Sequence, residues 1–254
     1  MRVSLLFKVI LCTVPSILFG GLAYWFYLKP TLQLQTDRKT ILDNALRFLE
    51  SNLWDSANGS YREVPLFTNS ALAANHNLDD NFLAYVFHTE YEIDLAKAVA
   101  VHGLLARNNF TTYSRWLVLS NCRANYSRYQ PYGDTAYADH VALDGIYYLK
   151  TGNTTGAREK LDFLIVHMLD ARLGLLRDNA TSTERFVYYK VALSLILATE
   201  LGNSTYTDEF SKTLSSQQNP DGSWLTGPAQ PSGVYPNTET TVLIIMALKL
   251  TWNI

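Results

Sequence analysis

The stretch "QQNPDGSWLTG", Gln217 to Gly227, joins two segments that both carry helical patterning. Before it, "YTDEFSKTLSSQ" repeats apolar residues at helical spacing, and after it "TETTVLIIMALKL" is almost free of charge. Asn219-Pro220-Asp221-Gly222 is turn chemistry. Proline fixes φ, and glycine supplies the positive φ that a tight reversal needs. On either side, Gln218 can satisfy backbone groups left open at a helix end, and Trp224 adds a large ring with a polar edge. The stretch therefore reads as a clasp that folds an amphipathic helix back against an apolar one.

The same plan recurs along the chain. "TILDNALRFLESNLW" puts Ile41, Leu42, Ala45, Leu46, Phe48 and Leu49 on one broad face, with Thr40 as its expected N-cap. It turns through "DSANGSY" into "LDDNFLAYVFHTEY". "IDLAKAVAVHGLLARNN" passes through a long Asn, Tyr and Arg-rich loop into "DTAYADHVALDGIYYLKTG". "TTGAREKLDFLIVHMLD" turns through "ARLGLLRD" into "ERFVYYKVALSLILATELGN". The turn glycines Gly59, Gly174 and Gly222 are separated by 115 and 48 residues, so the second unit lacks its turn. A second helix as apolar as Thr241–Leu250 must be buried on most sides. An inner ring of such helices inside an outer amphipathic ring satisfies both sets. The expected fold is all-α, an α/α toroid or partial toroid of about four helical hairpins. Few strands are expected, because period-two alternation is absent.

"FSKTLSSQQNPDGSW", with Phe210, Leu214, Gln218, Gly222 and Trp224, resembles the QW repeat of the terpenoid cyclase and prenyltransferase toroid superfamily. "FLESNLWDSANGSY" is similar to a degenerate copy, with Gly59 and Tyr61 in place of Gly-x-Trp. The resemblance implies that the glutamine amide ties a helix end while the indole stacks beside it. It covers residues 205–250 with some specificity. The superfamily's enzymatic marks do not follow it: the chain has no Asp-x-Asp-Asp acid, no Asp/Cys/His zinc set and no Gly-Cys-Gly-Glu-Gln thioester.

The N-terminus is separate in character. Residues 1–8, with Arg2 and Lys8, read as a cytoplasmic end, and Val9–Leu28 runs 20 residues without a charge. At 1.5 Å per residue that reaches ~30 Å, a bilayer's hydrocarbon thickness. Tyr24, Trp25 and Tyr27 gather at its far end. The expectation is a single transmembrane anchor, with a cleaved signal peptide as the rival reading. A linker at 29–38 and an extracytoplasmic domain at 39–254 follow. Six Asn-x-Ser/Thr sequons, at Asn58, Asn109, Asn125, Asn153, Asn179 and Asn203, agree with an exported, glycosylated domain. Accidental sequons in a Ser/Thr-rich chain are the alternative. The expected location is the cell membrane, single-pass, with the C-terminal domain outside.

Net charge is −2, which offers no basic surface for nucleic acid. Cys12 and Cys122 fall in unlike segments, so no disulfide is expected, and Cys122 reads as a spare thiol. The five histidines show no metal spacing, and His88 with Glu92 reads as a surface pair. No metal or cofactor is expected. The chemistry-bearing residues lie where the inner helices start: Asp79, Asp80 and Asn81, then Asp134, Tyr137, Asp139 and His140, then Glu184 and Tyr188, then Asn237 and Glu239. Singly, acids there cap helices and complement the dipole. Together, carboxylates and aromatics at one mouth are what glycoside cleavage requires. The candidate catalytic acids are Asp80, Asp139 and Glu239, and the candidate ligand contacts are Asp79, Tyr137, His140, Tyr188 and Trp224. Arg115 and Trp116 in the long loop either contact a ligand or pack over the ring end. Three functional readings stand open: a glycan-binding or glycan-cleaving membrane protein, a non-catalytic module holding a surface protein, and an isoprenoid-type enzyme. Whether the chain is an enzyme is left open by the sequence.

Overall fold

The computed structural model describes residues 29–65, 75–108, 110, 114–180, 186–228 and 235–253. The expected anchor Val9–Leu28 lies outside them, as do Cys12, Asn109 and Glu184. Among the described residues no helix is long and apolar enough to cross a membrane. The chain divides into two units, Met1–Ile41 and Leu42–Ile254. Helix α1 (Lys29–Phe48) begins in the first and ends in the second. Residues 29–38 are helical, and Thr40 lies within the helix instead of capping it. Pro30 sits in the first turn, where its missing N–H has no partner to lose.

The second unit is built from alternating outer and inner helices. The inner ones are α2 (Leu78–Glu90), α4 (Ala138–Lys150), α6 (Tyr188–Glu200) and α8 (Thr238–Trp252). The outer ones are the end of α1, then α3 (Leu95–Arg107), α5 (Thr154–Phe163) and α7 (Ser204–Ser216). Sequence pattern decides the layer. From Val242 to Leu248 every residue of α8 is buried, as is Val191 to Ala198 of α6. On α3 only Ala98, Val101 and Leu105 are buried, one stripe at helical spacing.

The four inner helices close a ring. Helix α4 packs against α6, α6 against α8, and α8 against α2. Between α2 and α4 the short 3-10 segment Arg115–Leu119 packs against both. Trp116, fully buried, heads that segment's apolar run. The long loop of the second hairpin thus supplies the piece that shuts the ring.

Three clasps connect outer to inner helices. Strands β1 (Trp54–Asp55) and β2 (Ser60–Tyr61) pair antiparallel, and so do β3 (Leu169–Asp170) and β4 (Leu175–Leu176). The two ribbons share their backbone bonds. Gly59 N–H donates to Asp55 C=O and Gly174 N–H to Asp170 C=O, both at 2.8 Å. The third clasp, around Gly222, bridges Leu225 to Pro236. Each clasp exits past the start of the preceding inner helix in the ring. Thr238 at the head of α8 donates to the carbonyl of Arg62, Ala138 of α4 to Asp178, and Tyr188 of α6 to the carbonyl of Thr226. The first of these joins residues 176 apart and ties the first hairpin to the last.

In the third clasp the Trp224 ring does more than stack: its indole N–H donates to the Leu214 carbonyl at the end of α7, at 2.8 Å. Gln218 donates across the turn to Gly222 C=O at 3.2 Å. In the first clasp Tyr61 holds the equivalent position. Its hydroxyl meets His88 Nε2 at 2.7 Å, and its backbone is gripped on both sides by the Asn81 amide. His88 is accordingly 1% exposed, a core residue rather than half of a surface pair.

Gly222 has φ +90°, and an added Cβ would run into the backbone carbonyl of Asn44 on α1. Gly152 has a similar φ of +88° but open space around it. Gly152→Ala therefore costs only the positive-φ strain, about 1 kcal/mol. Gly222→Ala adds a backbone collision of about 1–3 kcal/mol. Chemical denaturation of both variants should show Gly222→Ala as clearly the less stable, and equal losses would remove the clasp's close approach as a constraint.

Candidate functional site

All four inner helices start at the same end of the ring, so four positive dipole ends converge there. The residue in second position of each helix points into one polar centre. These are Asp79, Asp139, Tyr189 and Glu239, and a single guanidinium, that of Arg115, contacts all four. Its Nε lies 3.4 Å from Asp79 Oδ2, and one amino group 3.3 Å from Asp139 Oδ2. The other amino group pairs with Glu239 Oε1. The guanidinium carbon lies 5.7 Å from the Tyr189 ring and 4.2 Å from that of Trp116. Ser114 donates to Asp79 Oδ1 at 2.5 Å and receives the Trp116 N–H, which fixes the approach of Arg115.

The third positions are Asp80, His140, Lys190 and Thr240. Lys190, 4% exposed, bonds Asp178 at 2.5 Å and stands 3.6 Å from Asp139 Oδ1. Tyr189 donates its hydroxyl to Asp139 Oδ2 at 3.2 Å. Three donors thus converge on Asp139: Arg115, Lys190 and Tyr189. Thr240 is fully buried, and its hydroxyl has no partner among the described groups.

Proton occupancy in this cluster is uneven. Burial pushes Glu239 up to about 7; Arg115 pulls it back, and the charges of Asp79 and Asp139 push it further. Burial raises Asp80 well above the usual carboxylate range, helped by Glu239, Asp79 and Glu63 and opposed by Arg115. Burial also raises the Tyr189 phenol, with Asp139 and Glu239 adding to it, so Tyr189 stays a donor. The centre holds more acids than cations, and the excess is relieved by protonation at its most buried members.

A cavity of about 630 Å³ opens over the starts of α4, α6 and α8. Asp139, Glu239, Lys190 and Asp178 form its charged floor, and Tyr137, His140, Tyr189 and Tyr235 stand in its walls. Of the residues expected at a ligand, the structure places Asp139, Glu239, Tyr137 and His140 in the lining. Asp79 and Asp80 belong to the same charge cluster through Arg115 and Glu239 but do not line the cavity. Tyr188 and Trp224 are not in the lining either. Tyr188 is 3% exposed and bonds Gln217, and Trp224 is fully buried on Leu214. They serve the clasp, because an aromatic next to a turn between helices is drawn into the core. Sequence reasoning missed Tyr189, Lys190 and Asp178. The one available signal was a lysine inside an otherwise apolar helix, since a buried ammonium requires an acid.

None of the described sequon asparagines is in the cavity lining. Asn153 and Asn203 are the N-caps of α5 and α7, each accepting a backbone N–H through Oδ1. Asn58, Asn125 and Asn179 donate their side-chain amides to Asp55, Ser120 and Thr135 respectively. Cys122 is a free, exposed thiol. Among the described residues no group of three His, Cys, Asp or Glu is arranged to hold a metal ion.

No protein-family profile and no curated protein sequence matches the chain. Among solved structures it is similar to the GH76A α-1,6-mannanase of Salegentibacter sp. HEL1_6, with 14% identity and a TM-score of 0.48 over 85% of this chain and 99% of that one. An inactive variant of that enzyme in complex with α-1,6-mannotriose gives 14% and 0.48, over 84% and 98%. Another, with α-1,6-mannotetrose, gives 14% and 0.46 over the same shares. What the cavity of this chain can do is read from its own residues.

Glu239 also predicts a pH dependence of stability. Its folded value of about 7 lies above the ordinary 4.5, so the folded protein keeps a proton that the unfolded chain has released. That stabilisation is complete below 4.5 and is lost as pH rises through about 7, on the order of 3 kcal/mol. Asp80 acts in the same direction. His88, buried and lowered to about 4, acts in the opposite direction but is common to wild type and variant. Denaturation from pH 4.5 to 7.5 should show a shallower fall with rising pH in Glu239→Gln than in wild type, and parallel curves would contradict the assignment.

Proposed function

We propose that the cavity is a glycan site and that its chemistry is glycoside cleavage. The observation that carries this reading is the split within one carboxylate cluster. Burial raises Glu239 to about 7, so it can hold and give up a proton near neutral pH, while Asp139 receives Arg115, Lys190 and Tyr189. Glycoside cleavage needs this pairing, with one carboxylic acid to protonate the leaving oxygen and one carboxylate to act as base or nucleophile. In this reading Glu239 is the acid and Asp139 its partner. The charges of Asp79 and Asp139 raise the proton affinity of Glu239, and Glu239 in turn helps to raise that of the buried Asp80. Sharing the two amino groups of one guanidinium keeps the two carboxyl groups within several ångströms of each other. That is the scale on which paired acids work, ~5–9.5 Å across the retaining and inverting geometries.

A second reading is favoured by Arg115 itself. It already pairs with Asp139 and Glu239, so the same walls can hold a glycan without cleaving it. The two readings share a ligand and differ in turnover. An isoprenoid-type chemistry has no support in a cavity whose floor is charged, and the QW-type resemblance is read as architecture. We also read the chain as membrane-tethered and exported, on the strength of Val9–Leu28 and the sequons.

The test is hydrolysis of a panel of oligosaccharides, α-1,6-linked mannotriose among them, by wild type, Glu239→Gln and Asp139→Asn. Cleavage should fall by roughly 10²-fold or more in each variant, the usual size of a lost acid or base contribution. Binding without turnover in wild type would select the second reading. Turnover that survives both substitutions would end the assignment of these two acids.

A further inference from the structure

Among the described residues, the large exposed apolar and aromatic side chains fall into two groups. Leu95, Val99, Val166 and Leu173 are aliphatic, and none of them lines the cavity. Tyr132, Tyr137 and Tyr235 are all tyrosines, 40%, 40% and 37% exposed. Tyr137 and Tyr235 line the cavity, and Tyr132 lies against His140, which also lines it. Exposed aromatics are therefore concentrated at the mouth.

The arrangement is held in place from behind. The Tyr132 and His140 rings stack face to face, 3.6 Å apart and 3° from parallel. His140 Nδ1 meets Asp134 Oδ2 at 2.8 Å, which fixes the ring's rotation. The loop bearing Tyr132 is anchored on the fully buried Asp144, which accepts the backbone N–H groups of Tyr132 and Gly133 and the Tyr129 hydroxyl. The Tyr137 ring meets His140 at a tilt of 58°, with ring centroids 5.0 Å apart. Rings fixed in this way are ready for a ligand without further ordering cost.

We propose that Tyr137, His140 and Tyr235 form an aromatic clamp for the rings of a neutral oligosaccharide, the two tyrosines one level above the acids, with Tyr132 as the backing of His140. The proposal rests on the glycan reading above and names the ligand class: a neutral chain of at least two hexose units. Hexose rings present polarised C–H groups on their faces and hydroxyls at their edges. Aromatic faces attract the first, and the phenol oxygens and the unpartnered Thr240 hydroxyl take the second. Tyr137 precedes Asp139 by two residues and Tyr235 precedes Glu239 by four, so the two tyrosines stand outward of the floor, while His140 follows Asp139 by one. A chain engages both levels, with one ring at the acids and the next at the tyrosines.

The full chain is titrated with neutral hexose trisaccharides and with the matching monosaccharides, using calorimetry or saturation-transfer NMR. Wild type should bind a trisaccharide at least tenfold more tightly than its monosaccharide. Tyr137→Ala and Tyr235→Ala should each weaken trisaccharide binding by roughly tenfold. Tyr137→Phe, which keeps the ring, should retain most of it, and so should Val99→Ser on the outer surface. Trisaccharide binding that needs the tyrosines but brings no turnover leaves the clamp standing and removes the hydrolase reading. Turnover indifferent to the tyrosines does the reverse. Unchanged affinity in the alanine variants, monosaccharide binding as tight as trisaccharide, or no trisaccharide binding by wild type overturns the clamp.

Discussion

The guanidinium of Arg115 is the point on which the second unit turns. Packing four inner helices in parallel brings four N-termini together, and the sequence places an acid in second position on three of them. Each acid is reasonable alone, because it complements its own dipole. Together, in a half-buried space, three carboxylates repel one another and need a cation. Arg115 reaches all three from the segment that fills the gap between α2 and α4. Ring closure and charge compensation are therefore the same event. A planar fork with several donors can serve carboxylates arriving from different helices, which an ammonium, as a point charge, would do less well.

The clasps show a second economy of design. Two of them, in the first and third hairpins, repeat the same ribbon, bond for bond, on unlike sequences. The clasp before α8 achieves the same reversal through Asn-Pro-Asp-Gly and a buried tryptophan. In each case the exit strand satisfies the start of the neighbouring inner helix. The mouth is thus built from segments that also hold the ring together. Asp178 illustrates this: it caps α4, pairs with Lys190 of α6, and lies in the cavity floor.

The helical layers were legible from the sequence because burial leaves a direct trace in it. Charge-free runs mark inner helices and single apolar stripes mark outer ones, and both appear where the pattern puts them. The acids at the helix starts were legible for the same local reason. What sequence could not supply was which of them share a space. Trp224 and Tyr188 look like ligand contacts in one dimension, but they are core, because a turn between two packed helices leaves no room for an exposed indole. His88 looked like a surface residue from its spacing to Glu92, yet it faces Tyr61 across 27 residues of sequence. Arg115 lay in a loop without periodicity, so nothing local marked it as the residue facing three helices.

Arg115 is the counter-charge of the converging acids, and Arg115→Met tests that role most directly. At pH 8 the variant buries several carboxylates with no guanidinium between them, which should cost about 3–5 kcal/mol of stability. At pH 4 more of those acids are protonated, so the loss should shrink markedly. A pH-dependent deficit of that form, read by denaturant unfolding, is the result predicted here. A variant as stable as wild type at pH 8, or one equally destabilised at both pH values, would contradict it.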